Sequence, residues 1–592
     1  MNRNVTIRKR FCKETAGWLL LTVALVMLAN SVRLCFCRDI WYDELFTVGM
    51  AEHSYGELIS FTAKDVHPPL YYCIVKLILD LCKLINPSAD SIIVIKCVSV
   101  LPYFLLLAYG LFFLRKKFGM FVTGLFLFCV LSMPQMSAYT VEMRMYGWAL
   151  FFVTAAFFHA YGIVEGNGRG RYVLWRFRVR KTEHYFAFYW NGHFAALAFY
   201  GLAAAYTQYF ACVAVVMVYG YLLLWFLVRY RRSGGQDKVA VKALKLWFFC
   251  VVLSIIVYLP WLFVLIAQVA AVRDNYWILP LTWRSLGGCV KFLMKPAFSG
   301  ERLNVLLAVV LFGIYTGLTA WYGVRARKAE REDLFRIRFF YAFAGCMVLC
   351  GLTGFGFIAS ILVRPVFVYR YMLPAMGCFW LCPVLCLDGL FAACRKEGTE
   401  PGRAAEAELE GAAGKKTKIA ERETPKAAAE RTAYCGRKTR TFCRGILCFA
   451  TVLIVMVGIR NYRAFLGEEE YKAVLMEETE PAISDIAQED IILYNFDQLQ
   501  AVMGYYLEQE NYLWGGEPEP LVQEIFDIQG SISETGQIED LLEEGRTVWF
   551  FGSFNSREDI RAEWAKEGIL SEEKGSYLLE RYWFNIYSVF ME

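Results

Sequence analysis

Trp41-Tyr42-Asp43-Glu44-Leu45 sets two adjacent carboxylates just beyond the first apolar stretch of the chain. A carboxylate near low-dielectric surroundings holds a proton more tightly than one in water, which suits a general base for a hydroxyl. Paired acids can equally hold a divalent cation, and an ordinary acidic loop in water would read the same way. Further on, Asp65-Val66-His67-Pro68-Pro69-Leu70 adds another acid and one of only five histidines. The proline pair fixes the backbone, so a side chain just ahead of it is held in place. His67 could also do no more than cap the helix that follows.

Basic and phenolic groups recur in two later turns. Tyr139-Thr140-Val141-Glu142-Met143-Arg144-Met145-Tyr146 supplies Glu142, Arg144 and Tyr146, and Arg364-Pro365-Val366-Phe367-Val368-Tyr369-Arg370-Tyr371 supplies Arg364, Arg370 and Tyr371. The stretch 268–303 adds Arg273, Lys291 and Lys295. The planar arginine fork can orient a carboxylate or receive a phosphate; at a membrane boundary it can also reach for lipid headgroups. A carboxylate to take a hydroxyl proton and cations to receive a departing phosphate are the minimum set for attack on an anomeric carbon that carries a phosphate leaving group.

The elements that must position these groups are membrane spans. Hydrophobic residues make up 57% of the 592, against about 45–50% apolar in a soluble domain. They fall into blocks of about 16–25 residues, the length that crosses a ~30 Å hydrocarbon core. The blocks are 17–36, 69–85, 92–114, 118–139, 146–164, 186–205, 209–228, 243–267, 304–323, 337–362, 371–393 and 445–459. The run 17–36 follows a basic start and lacks a small-residue cleavage site, so it reads as a first span with a cytoplasmic N-terminus rather than a signal peptide.

Basic clusters at Arg115–Lys117, Arg169–Lys181, Arg229–Arg232, Arg325–Arg338 and Arg395–Arg440 should share the cytoplasmic side. They do so only if one early block fails to cross. The block after Pro68-Pro69 is short and carries Lys76, Asp80 and Lys83, so it reads as an amphipathic helix on the outer interface. Eleven spans remain, and the acid- and arginine-bearing turns fall together on the outer face.

The expected division is a membrane domain over 1–393, a charged cytoplasmic linker over 394–443, a last span over 444–460 and an acidic extracytoplasmic α/β domain over 461–592. That last part holds 29 acidic against 8 basic residues. Strands at 490–494 and 547–551 and helices near 498–507 and 557–566 are expected in it. The basic balance elsewhere is a topology signal, and nucleic-acid binding is not expected. All 19 cysteines precede residue 449, mostly inside apolar blocks, so they read as small apolar residues rather than a disulfide framework.

Asp43-Glu44, then Asp65-x-His67-Pro68-Pro69-Leu70, then Arg144-x-Tyr146, in that order after one span, resemble the GT-C superfamily of membrane glycosyltransferases. Within it the chain is most similar to the bacterial protein O-mannosyltransferase-like family (glycosyltransferase family 39) and the aminoarabinose transferases. Tyr206-Thr207-Gln208-Tyr209-Phe210 resembles a Tyr-Thr-His-Tyr element common there, with Gln208 in place of the histidine. The resemblance covers roughly 15–390.

It implies an all-α polytopic fold and transfer of a sugar from a polyprenyl-phosphate-linked donor, at the outer face of a bacterial plasma membrane, to a protein, lipid or wall-polymer acceptor. Carried over, Asp43 would be the base, with Glu44 in the same acidic centre, and Arg144 would position the acids or the leaving phosphate. Asp65, His67, Glu142, Tyr146, Arg370 and Tyr371 would bind substrate. A divalent cation, if one is used, would draw on Glu44, Asp65 and His67. The competing expectation is a transporter or flippase of lipid-linked sugars, which would place charges at the midplane of related halves.

Overall fold

The computed structural model describes residues 2–36, 40–166, 171–179, 182–190, 192–272, 278, 280–329, 334–396, 425–526, 530–579 and 581–592. Among the described residues, nine helices are long and apolar enough to cross a membrane, and two shorter apolar helices, Met120–Ser132 and Gly192–Ala205, accompany them. The chain is a polytopic helical protein with a small sheet domain at its C-terminus.

Helix α1 (Asn2–Leu34) is followed by three shorter helices: α2 (Tyr42–Glu52), α3 (Tyr55–Lys64) and α4 (Leu70–Ile85). The α2–α3 pair occupies the stretch expected as an outer loop between the first two apolar blocks, although Ser54-x-x-Glu57 carries its start signal. Glu57 N–H donates to Ser54 Oγ at 3.3 Å while Ser54 N–H donates to Glu57 Oε2 at 3.0 Å, a reciprocal cap. Helix α4 begins directly after Pro68-Pro69 and is amphipathic as expected. It buries Tyr71, Tyr72, Val75 and Leu79 and exposes Leu77, Leu81, Leu84 and Ile85.

Helix α5 (Ser91–Tyr109) passes through a π-turn at Gly110–Leu114 into the short α6 (Arg115–Phe118). Helices α7 (Met120–Ser132) and α8 (Tyr146–Glu165) form the buried centre of the bundle. The expected span 118–139 stops at Ser132 because Met133, preceding Pro134, is extended (φ −75, ψ 156). Residues 133–145 then form an irregular turn.

Strands β1 (Arg171–Val179) and β2 (Thr182–Trp190) make an antiparallel hairpin. The expected span 186–205 is therefore a helix only over α9 (Gly192–Ala205). Around this core lie α10 (Tyr209–Arg232), α11 (Lys238–Val272), the short α12 (Arg284–Met294), α13 (Glu301–Arg327), α14 (Leu334–Leu362) and α15 (Met376–Lys396). Helix α11 exposes Phe248, Ile255, Ile256 and Phe263, as a lipid-facing helix does.

Helix α16 (Pro425–Ser484) contains the expected last span and runs on without a break well past residue 460. The sheet that follows has the order β5-β4-β3-β6-β8-β7, with β3 (Ile491–Tyr494), β4 (Glu510–Trp514), β5 (Ser531–Ile532), β6 (Val548–Gly552), β7 (Ile569–Leu579) and β8 (Tyr582–Met591). Its first four strands pair parallel, and β8 joins β6 and β7 antiparallel. Helices α17 (Asp497–Tyr506), α18 (Pro520–Phe526), α19 (Thr535–Glu543) and α20 (Ser556–Lys566) connect the strands.

Helices α1 and α7 cross at two glycines. A Cβ built on Gly124 would lie against the Gly17 carbonyl, and one on Gly17 against the Met120 backbone. Small residues let two backbones approach this closely where water cannot drive helices together. Gly124→Ala should push the pair apart and destabilise the protein by about 1–3 kcal/mol. Thermal unfolding of the detergent-solubilised protein checks this, and an unchanged midpoint would show that the crossing is looser than described.

Candidate active site

The acid- and arginine-bearing turns meet at one end of the bundle, and Glu44 explains how. Its side chain is buried, with Oε1 accepting from Met143 N–H at 2.7 Å and Oε2 from Trp41 N–H at 3.4 Å. One turn further along α2, Thr47 Oγ1 donates to the Met143 carbonyl at 2.7 Å. Both polar groups of the Met143 backbone are thus satisfied by α2, which fixes the 141–145 turn against the start of that helix.

Asp43 faces the opposite way to a different set of partners. Arg370 Nη1 donates to Asp43 Oδ2 at 3.1 Å, and Arg144 Nη2 stands 3.9 Å from the same oxygen. Arg144 Nη1 also donates to the Asp43 carbonyl at 2.7 Å. Among the described residues no hydrogen bond reaches Asp43 Oδ1, leaving one carboxylate oxygen for an incoming proton. The Arg370 guanidinium stands over the Tyr146 ring at 5.9 Å.

Asp65 and His67 form a local pair, Nδ1 to Oδ2 at 2.8 Å. Burial pushes the Asp65 carboxyl up, but His67, the Val66 N–H and Arg144 outweigh it and hold the group below the usual carboxylate range. Glu142 is the reverse case. Burial raises its carboxyl, and the nearby charges of Arg581, Arg144 and Arg370 only partly offset that rise.

Several buried polar atoms around this centre have no hydrogen-bond partner among the described residues: Arg144 Nε, the hydroxyls of Tyr71, Tyr72 and Tyr146, and both amide atoms of Gln208. Buried polar groups are normally satisfied, so such a gathering marks a place for a polar ligand. From here an apolar cavity of about 880 Å³ runs between α9, α10, α11 and α14. It follows α10 from Tyr209 to Leu223, about 21 Å at 1.5 Å per residue. His67, Gln208, Gln268, Tyr371 and Arg364 are polar members of its lining near the acid-bearing turns, and the remainder is mostly aliphatic and aromatic.

The two lysines singled out by the sequence do not join Asp43. Lys291 and Lys295 pair with Glu301 at 3.6 and 2.6 Å, and Arg273 lies outside the described residues. Four side chains that sequence reasoning passed over do belong here. Gln268, on α11, donates to the carbonyls of Thr62, Ala63 and Asp65 and accepts from Tyr209, so it anchors the end of α3. Tyr71 and Tyr72 follow the proline pair directly, a position that could have singled them out. Arg581, from the sheet domain, lays its guanidinium 3.8 Å from the Trp41 ring; no local pattern marks it.

No group of three His, Cys, Asp or Glu among the described residues is arranged to hold a metal ion. The three expected ligands are separately engaged: Glu44 by backbone N–H groups, Asp65 and His67 by each other.

Two outcomes follow from this arrangement. Glu44→Ala leaves Met143 N–H buried without its acceptor and should lower stability by about 1.5–3 kcal/mol, with Glu44→Gln losing less; equal thermal midpoints for Ala and wild type would refute the clasp. Glu142, with its raised carboxyl, binds its proton more tightly folded than unfolded, so ionising it disfavours the native state as pH rises above the ordinary carboxylate range. The stability of Glu142→Gln relative to wild type should therefore grow from pH 4 to pH 8. A gap that shrinks over that range would contradict the burial of this carboxyl.

No family model matches the chain, and no curated protein does. Among solved structures it is similar to ArnT from Cupriavidus metallidurans in the apo state and bound to undecaprenyl phosphate, each at 13% identity over 97% of this chain and 98% of that chain, with a TM-score of 0.49. It is also similar to the archaeal oligosaccharyltransferase AglB from Archaeoglobus fulgidus in complex with an inhibitory peptide and a dolichol-phosphate, at 11% identity over 90% of this chain and 69% of that chain, with a TM-score of 0.34.

Proposed function

We propose that this protein is a glycosyltransferase that moves a sugar from a polyprenyl-phosphate-linked donor to an acceptor hydroxyl at the outer face of a bacterial plasma membrane, with the N-terminus cytoplasmic and the sheet domain outside. One observation carries the reading: a carboxylate with a free oxygen, backed by two arginines and ringed by unpartnered polar atoms, lies beside a long apolar cavity. The ordered motif set of the first 146 residues supports it. The cavity suits the polyprenyl chain, and the polar centre suits the sugar phosphate.

In the step this implies, the acceptor hydroxyl gives its proton to Asp43 Oδ1 as its oxygen attacks the anomeric carbon. The bond from that carbon to the phosphate oxygen breaks, and the phosphate leaves on its lipid with an added negative charge. Arg370 and Arg144 receive that charge. A phosphate leaving group needs no strong acid, so one base suffices, and a single displacement inverts the anomeric configuration. Glu44 acts by holding Asp43 and Arg144 in register, while Tyr146 and Tyr371 shape the site around Arg370.

The test is transfer from a panel of radiolabelled polyprenyl-phosphate sugars by the purified protein, comparing wild type with Asp43→Asn. Loss of a general base typically costs about 10²–10⁴-fold in rate, so turnover should collapse with donor binding kept. Undiminished turnover in Asp43→Asn would remove it as the base. Donor binding with no transfer by wild type, across varied acceptors, would favour a carrier of lipid-linked sugars.

A further inference from the structure

The sheet domain sits directly on the helix that carries Asp43. Tyr42 Oη donates to Glu519 Oε2 at 3.1 Å, Tyr42 N–H donates to Tyr582 Oη at 3.3 Å, and Lys64 pairs with Glu524 at 2.6 Å. The Phe46 and Phe526 rings meet edge to face at 6.3 Å, and Gly49 lies against Ile525 and Phe526. These contacts suffice to dock the domain, and none of them involves Arg581.

Arg581 stands where β7 turns into β8, immediately before Tyr582. Its guanidinium is exposed and stacked on Trp41, two residues before Asp43, and no hydrogen bond to it forms among the described residues. Trp41 Nε1 beneath it is buried and likewise without a partner. Two donors on one small patch, one of them an exposed cation and the other buried, thus lack a hydrogen-bond partner beside the proposed base. This patch is separate from the apolar cavity, whose lining includes neither Trp41 nor Arg581. The positive charge of Arg581 nevertheless reaches Glu142, in the same turn as Arg144.

We infer that Arg581, with Trp41 Nε1, forms a second anion subsite on the acceptor side of Asp43, which takes a phosphate-class group and so makes the sheet domain a working part of the site. Stacking on an aromatic face leaves the guanidinium edge open for such a group. The inference rests on the transferase reading for its purpose, though not for its chemistry. Arg581 is here a positioning residue: it holds one end of the acceptor while Asp43 meets the hydroxyl.

The experiment titrates the full chain, in phosphatidylcholine nanodiscs, with inorganic phosphate while farnesyl phosphate fills the donor side. Wild type should show one saturable phosphate site. Arg581→Gln should weaken it about tenfold or more, as expected for a lost charge-assisted hydrogen bond. Arg581→Lys should recover part of the loss, and Trp41→Phe, which keeps the ring and drops the donor, should lose less. Thermal midpoints should fall only slightly and stay well above the assay temperature, because the docking contacts are untouched and Arg581→Gln loses only the ring stack and the charge near Glu142.

Nanodiscs containing phosphatidylglycerol separate the sources: competition with phosphate identifies a lipid headgroup as the ligand, and indifference identifies a soluble phosphate group, both through Arg581. Equal phosphate affinity in wild type and Arg581→Gln overturns the inference, as does a wild type with no phosphate site left once farnesyl phosphate is bound. If farnesyl phosphate itself fails to bind, the donor reading falls, and the wild type to Arg581→Gln comparison still decides the subsite.

Discussion

The backbone of a single residue governs the geometry of the acidic centre. Met143 N–H donates to Glu44 and its C=O accepts from Thr47, and both side chains come from one face of the same short helix. In a dry setting an unpaired backbone group is expensive, so the chain has little freedom to satisfy Met143 elsewhere. Everything chemically notable is downstream of that clasp. Arg144 follows Met143 in the chain and Asp43 precedes Glu44, so fixing one pair fixes the other. Of two neighbouring carboxylates, one is consumed as a fastener, and that leaves its neighbour available for reaction.

The same end of the bundle divides sharply by polarity. Aliphatic and aromatic side chains of α9, α10, α11 and α14 line the cavity, and the unpartnered hydroxyls and amides gather where it meets the turns. An amphiphile with a long apolar tail and a charged head matches this division with little rearrangement. The mouth of the site is completed by chain that lies several hundred residues further on, because the β7–β8 turn covers Trp41.

Much of this could be read from the residues, and the reasons for the gaps are specific. Hydropathy and basic clusters locate the apolar helices, since a ~30 Å slab imposes a length that composition reveals. The proline pair marks the start of α4, and the structure brings Asp43, Arg144 and Arg370 together as the motifs suggest. Glu44 was indistinguishable from Asp43 by sequence, because its role depends on a turn about a hundred residues away. Lys291 and Lys295 looked like phosphate ligands until Glu301 met them. Gln268 and Arg581 carry no local pattern at all; each acquires its place only through packing of distant elements. The long strands β7 and β8 were also passed over: glutamates, a lysine and a glycine interrupt the apolar pattern of β7, and the nearly unbroken apolar run of β8 hides which of its residues face inward.

Helix α16 has a geometric implication of its own. Its stretch Thr441–Ser484 is 44 residues of unbroken helix, about 66 Å at 1.5 Å per residue, roughly twice the thickness of a hydrocarbon core. A rigid rod of that length acts as a screw thread between the bundle and the sheet. Each residue added or removed along it turns the sheet by about 100° and shifts it by 1.5 Å. Keeping the β7–β8 turn on Trp41 therefore fixes the length of the rod: seven added residues bring the sheet back to within about 20° of its bearing but lift it by about 10.5 Å, and most other lengths swing it to another side of the molecule.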